Sequence, residues 1–415
     1  MDKKLEQAGT TDPRVAELTA WLVEAGLKGE PHMNLLEAYC GKLVAAGVPL
    51  MRAHVTQNAL HPVYGAVGFD WEDLQGPVRH EYQHASQAPD TWFNSPFYFM
   101  LTKGLSEYRE RVFETNEPSR FPLINEMKAR GATEYLAKAV LFGEWDAGTP
   151  LDPEANHEGA MMSWMSRGPD GFSDADLNLI RSTFPLLSLA LKSGTHRQTA
   201  EDLLGVYLGR DAGNRVLSGE IQRGSSRWID AVICYFDLEG FTGMSQKIEG
   251  EALIAMLNDY FGVAVDCIEE QGGDVLKFMG DGMLSIFDRE AYFDASDRAI
   301  QAIRKLRTEM QACSSRRSAE KLPMLGHTVA LHAGRVLYGN IGADARLDFT
   351  VIGPEVNLAA RLSDMHRPLG QRIIVSQAVA SDLENTQTDL ISLGRYMMRG
   401  VEHPQELFTL YDGEE

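Results

Sequence analysis

The chain has 415 residues, with 39 Lys and Arg against 59 Asp and Glu, for a formal net charge of −20. With 44% hydrophobic and 24% charged residues it has a globular composition, long enough for two or three domains that each bury a core. The acidic balance argues against a general nucleic-acid binder, which needs a basic face, and against a polybasic membrane-surface protein. It leaves room for a nucleotide substrate whose polyphosphate is screened by divalent metal.

Cys40, Cys234, Cys267 and Cys313 are scattered with no Cys-x-x-Cys pair, so they read as reduced thiols rather than a disulfide frame or a zinc site. No apolar run reaches the roughly 20 residues needed to span a bilayer. The first residues, Met-Asp-Lys-Lys-Leu-Glu, carry no apolar signal core. The expectation is a soluble, cytoplasmic protein with no nucleic-acid or membrane partner.

In chain order, Asp12-Pro13 starts a helix whose stripe is Val15, Leu18, Trp21, Leu22 and Ala25. A second helix is expected near Leu35–Ala46. The stretch His54–Val67 looks mixed. Asn94-Ser95-Pro96 precedes the apolar run Phe97–Leu101, and Tyr135–Phe142 and Gly159–Ser166 read as strands. Asp170–Asp174 is a turn with Ser173 as N-cap, followed by a helix with Leu177, Ile180, Phe184, Leu187 and Leu191 on one stripe. This closing helix, with the mixed content before it, resembles a GAF-type sensor domain, which implies an α+β regulatory module over residues 1–195. Residues 196–227 read as a helical connector that transmits a signal, and 228–415 as the third region.

The third region opens with Asp230–Leu238, a near-continuous apolar run expected of a buried strand, ending on Asp237. Gly240-Phe241-Thr242 follows. The glycine lets the backbone approach a phosphate, and the amides of a helix start can point at one. Read alone, Asp237 serves equally as a capping residue. Next, Gly280-Asp281-Gly282 sits between two β-like runs and reads as a hairpin, with Asp281 as its turn residue. Lys277, four residues earlier in an apolar run, needs a partner or a ligand. Finally His332-Ala333-Gly334 leads to Gly339-Asn340-Ile341-Gly342, and Thr350 leads to Gly353-Pro354-Glu355-Val356-Asn357-Leu358-Ala359-Ala360-Arg361-Leu362. Pro354 suits a helix start, on which Asn357 and Arg361 share a face.

Together, and in this order, these four elements resemble the class III nucleotidyl cyclase catalytic domain over about residues 228–412. The resemblance implies a ferredoxin-like βαββαβ fold, so the whole chain is expected to be α+β. It implies two divalent cations, Mg²⁺ or Mn²⁺, at Asp237, Leu238 and Asp281. Lys277 and Thr350 resemble the base-reading pair of adenylyl cyclases, with Gly240, Phe241 and Thr242 also binding substrate. Asn357 orients the ribose and Arg361 stabilises charge at the α-phosphate. The implied reaction turns ATP into 3′,5′-cyclic AMP and pyrophosphate. Because the family divides these residues between two subunits, a head-to-tail homodimer is implied. One departure is that Arg399–His403 lacks the lysine that often holds the triphosphate.

The histidines of the first region are scattered. His80 and His84 would share a face, and allow a metal pair, if their segment were helical. Trp92, Phe93, Phe97, Tyr98 and Phe99 read as core in preference to a ligand pocket. A small-molecule ligand for this region is the favoured expectation, and a dimerisation module the alternative.

Overall fold

The computed structural model describes residues 12–411 apart from 59–60, 62–63, 74, 85–89, 115–116, 147, 154, 156 and 384–388. The polar start of the chain lies outside them. The chain divides into two compact units, Met1–Leu203 and Leu204–Glu415.

The first unit starts with α1 (Pro13–Lys28) and α2 (His32–Ala45), then β1 (Leu50–Asn58), β2 (Tyr64–Glu72) and β3 (Gly76–Gln83). Next come α3 (Asp90–Phe93), α4 (Pro96–Lys103), β4 (Glu107–Arg111), α5 (Pro122–Ala129), β5 (Glu134–Leu141), β6 (Gly159–Ser166) and α6 (Asp174–Leu208). The six strands form an antiparallel sheet in the order β3-β2-β1-β6-β5-β4. The Asp12 carboxylate caps α1 by accepting the Arg14 amide at 3.0 Å. Ser173 and Asp176 cap α6 reciprocally: the Asp176 amide donates to Ser173 Oγ at 3.2 Å and the Ser173 amide to Asp176 Oδ2 at 3.0 Å.

The apolar stripes of α1, α2 and α6 bury against one face of this sheet, around Trp164, Tyr39 and Phe184. Phe97, Met100, Ile124 and Met127 of α4 and α5 bury against the other, around Tyr135 and Met165. Phe97 is therefore core, as read, whereas Phe93 is exposed. The segment with His80 is strand β3, not a helix. His80 pairs with Asp70 at 3.0 Å and His84 bonds the His61 carbonyl at 2.7 Å, so no His80–His84 metal pair forms. From Val78 to Gln83 this edge strand is exposed throughout, so no buried stripe marks its period in the sequence. Helix α6 continues unbroken past residue 195. A side chain on Gly194 would start 3.0 Å from the Glu30 carbonyl oxygen and 3.1 Å from His32 Nε2, so the glycine lets these groups lie close to the helix.

The second unit begins with α7 (Arg210–Leu217), β7 (Ser226–Glu239), α8 (Phe241–Ser245), α9 (Gly250–Glu270), β8 (Asp274–Met279) and β9 (Gly282–Asp288). It continues with α10 (Ala295–Ala319), β10 (Gly326–Ala343), β11 (Arg346–Ile352), α11 (Pro354–Ser363), α12 (His366–Leu369), β12 (Ile373–Ser376), α13 (Gln377–Ala380), β13 (Leu390–Tyr396) and β14 (Gln405–Leu410). Setting aside the short α8, the segment β7-α9-β8-β9-α10-β10 is a βαββαβ core with its strands side by side as β10-β7-β9-β8. β12, β14 and β13 extend it beyond β10, and β11 folds back on β10 as a long hairpin. One face is covered by α9 and α10, the other in part by α11. That double cover is why β7 is apolar nearly throughout. The four cysteines are buried and unpaired, as the spacing implied.

Candidate active site

Alternation along β7 sends Val232, Cys234, Phe236 and Leu238 under α9 and α10 and puts Ala231, Ile233, Tyr235 and Asp237 on the opposite face. Asp237 lies opposite Gly282 in the β7–β9 register, so the β8–β9 turn brings Asp281 beside it. The Leu238 amide donates to the Asp281 carbonyl at 3.1 Å. The two glycines of the turn have different reasons. Gly280 has a left-handed φ of 72°, whereas a side chain on Gly282 would start 3.1 Å from the Phe236 carbonyl and 3.2 Å from Asp237 Oδ1.

Neither Asp237 nor Asp281 makes an ion pair among the described residues. Burial, and then the neighbouring Asp281, push the Asp237 carboxyl up to about 6, and Arg367 on α12 pulls it partly back. No cluster of three or more His, Cys, Asp or Glu side chains that would hold a metal occurs among the described residues. Two carboxylates are nevertheless the protein share typical of Mg²⁺, which keeps waters and takes phosphate oxygens besides. A carboxylate pair with no ion-pair partner among the described residues, in which burial disfavours the charge of Asp237, fits such an ion.

Lys277 is on β8, and its Nζ lies 3.4 Å from Asp348 Oδ2 on β11. Thr350, two residues further along β11, is 5% exposed, and its Oγ1 has no hydrogen-bond partner. Asp348 and Thr350 share a strand face by alternation, while Phe349 and Val351 enter the core on the other. At the end of β7 the chain turns through Gly240, with φ of 89°, into α8. Pro354 occupies the first turn of α11. Asn357 on that helix is exposed, and Arg361 Nη1 donates to the Gly400 carbonyl at 3.0 Å. The Arg399–His403 segment thus meets Arg361, with Arg399 and His403 both exposed.

A single chain therefore assembles three groups: Asp237 with Asp281, Lys277 with the strand of Thr350, and Asn357 with Arg361 on one helix. Among the described residues, no hydrogen bond or ion pair joins Asn357 or Arg361 to the other two groups. Sequence reading missed Asp348 and Arg367. Asp348 had a signal, its two-residue offset from Thr350. Arg367 had none, because only the fold brings α12 toward the end of β7.

Residues 225–412 match the family profile described as "Adenylate and Guanylate cyclase catalytic domain". The second unit carries a cyclase catalytic domain. An adenylate cyclase of Anabaena cylindrica is 29% identical over 168 residues, which are 40% of this chain and 32% of that protein. Adenylate cyclase 1 of Rhizobium meliloti is 27% identical over 164 residues, 39% of this chain and 25% of the relative. The chain thus spans about a third or less of the length of these relatives. Among solved structures, the adenylyl cyclase CyaB from P. aeruginosa is 26% identical with a TM-score of 0.41, covering 46% of this chain and 97% of that one. A bacterial light-regulated adenylyl cyclase is 23% identical with a TM-score of 0.46, covering 55% and 64%. Among the described residues, no helix is long and apolar enough to cross a membrane.

Proposed function

We propose that the cyclase domain converts ATP to 3′,5′-cyclic AMP and pyrophosphate in a head-to-tail homodimer with two shared sites. The observation that carries this reading is the pair Asp237 and Asp281, adjacent and without an ion-pair partner among the described residues, at the end of a buried strand. Two divalent cations, Mg²⁺ or Mn²⁺, held by both carboxylates and by the Leu238 main chain, would lower the pKa of the ribose 3′ hydroxyl and relieve charge on the leaving phosphates. The chain's own groups do the rest. Lys277 donates to the adenine N1, and the unpartnered Thr350 hydroxyl accepts from the exocyclic amine. Gly240, Phe241 and Thr242 offer backbone to the phosphates. Asn357 of the partner subunit orients the ribose, and the partner subunit's Arg361 meets the charge growing on the α-phosphoryl oxygens with its planar fork. The new bond joins O3′ to the α-phosphorus, and the bond to the bridging oxygen breaks. The proton passes to Asp237 or to water.

Asp348 beside Lys277 favours one second reading. It places an acceptor near the base-reading position, which suits the N1–H and amine of guanine. The first unit is assigned a GAF-like sensory role over residues 1–195, relayed by residues 196–227. Supporting it is a cavity of about 260 Å³ lined by His32, Asn34, Tyr64, Phe69, Arg79 and Gln198, of a size for a small polar ligand.

The test is product analysis of the full chain with ATP, GTP, CTP or UTP and Mg²⁺ or Mn²⁺. Cyclic AMP from ATP alone, lost in Asp237→Ala, is the expected result. Cyclic GMP in preference to cyclic AMP would favour the Asp348 reading. Metal-dependent nucleotide binding without any cyclic product would replace the enzyme with a signal-binding protein.

A further inference from the structure

The His332-x-Gly334 element is not used by the chemistry above, yet its geometry is specific. His332 is 3% exposed in the middle of β10, between the core residues Leu331 and Ala333. Its Nε2 lies 2.6 Å from Glu355 Oε2 and its Nδ1 lies 2.8 Å from Ser376 Oγ. Burial holds the imidazole below its usual range, with Glu355 opposing. One tautomer satisfies both contacts: Nε2–H donates to the carboxylate, and Nδ1 accepts from the Ser376 hydroxyl. Gly334 completes the arrangement. A side chain there would begin 2.7 Å from Glu355 Cγ, so the glycine makes the slot in which the Glu355 stem lies.

Three elements meet at this ring. Ser376 ends β12, His332 belongs to β10, and Glu355 sits in the first turn of α11, two residues before Asn357 and six before Arg361. The rest of the inner face of α11 is Val356, Ala359 and Leu362, which are apolar. Apolar contact is non-directional and tolerates small rotations of a helix. A short hydrogen bond to a carboxylate is directional. At the other end of the helix, Arg361 is itself the tether, through the Gly400 carbonyl.

We infer that His332 and Glu355 form a positioning pair that sets the rotation and register of α11, and so the aim of Asn357 and Arg361. This rests on the cyclase reading above. The pair touches no base-reading or metal-binding residue, so it governs turnover and not nucleotide affinity. Misplacing a catalytic group by about 1 Å costs as much as a hundredfold in rate, so loosening this helix is expected to cost at least about tenfold.

The test uses full-length chains and separates kcat from KM. Glu355→Gln keeps the shape and is the variant least prone to misfold, because Glu355 is partly exposed. It should lower kcat about tenfold and leave KM within about twofold. The two amides at position 332 distinguish positioning from packing. His332→Gln can place a donor near Glu355, whereas His332→Asn reaches only toward Ser376. His332→Gln should therefore retain more kcat than His332→Asn, at similar melting temperatures. Wild-type kcat in Glu355→Gln, or a loss confined to KM, overturns the inference. If the wild type forms no cyclic product, the cyclase reading has failed, and the pair is then read by amide hydrogen exchange across residues 354–363. Faster exchange there in Glu355→Gln and His332→Asn supports the pair. Unchanged exchange refutes it.

Discussion

The two units treat buried carboxylates in opposite ways. In the first, Asp70 of β2 faces Arg52, His54 at 3.1 Å and His80 at 3.0 Å. Burial pushes its carboxyl up, but His54, Arg52 and His80 outweigh that and hold it below the usual range. Glu134, fully buried, is likewise met by Arg109 and Arg111. In the second unit, Asp237 has another aspartate for a neighbour, and its pKa is raised to about 6. Asp70 and Glu134 are thus met by cations of the fold. A carboxylate left beside a like charge fits a partner the chain does not supply.

The strongest way to break this contrast is Asp237→Ala or Asp281→Ala. Either should reduce cyclisation by about a thousandfold or more, since both ions depend on the pair. The metal-free melting temperature should hold or rise, because a like-charge contact has been removed. Retained activity in either variant would sink the metal assignment. The dimer is sharpened by mixing Asp281→Ala chains with Arg361→Ala chains. Random pairing makes half the dimers heterodimers with one intact site of two, so roughly a quarter of wild-type activity should return. No recovery in verified heterodimers counts against shared sites.

A smaller effect is expected on the other side of the contrast. Arg52→Ala leaves the buried Asp70 less compensated and should destabilise the first unit by about 1–3 kcal/mol. Thermal melting measures it, and metal-dependent nucleotide binding by the second unit should not change. The smallest effect concerns Asp274 on β8. Burial, and then Asp211, push its carboxyl up to about 6, with the Arg210 and Asp211 amides opposing. The folded state therefore holds a proton that the unfolded chain releases near pH 4, so stability should rise as pH falls from about 7 to 5. Asp274→Asn should flatten that slope and add about 1 kcal/mol at pH 7.5. An unchanged slope would remove Asp274 from the account.

Local chemistry was legible in the chain itself. Asp12-Pro13 and Ser173 mark helix starts because their side chains cap amides that no helix satisfies. Gly280-Asp281-Gly282 marks a hairpin because the turn needs a left-handed residue. β7 reads as buried because both its faces are apolar. The stripe of α6 was equally plain, but its run on to Leu208 was not, since no residue of the helix beyond Gly194 is buried. His80 likewise carried no sign of its strand or of Asp70, because a partner ten residues away is set by strand register.

The sequence by itself determined the elements and the residue types of the site, since capping, alternation and turn geometry act within a few residues. Only the tertiary structure decided which side chains meet. Asp237 joins Asp281 through the β7–β9 register, Lys277 finds Asp348 across 71 residues, and Arg361 finds Gly400 across 39. His332 reaches Glu355 and Ser376 in the same way. Such contacts depend on strand register and helix rotation, which are settled by burying the whole core at once and not by any local run of residues.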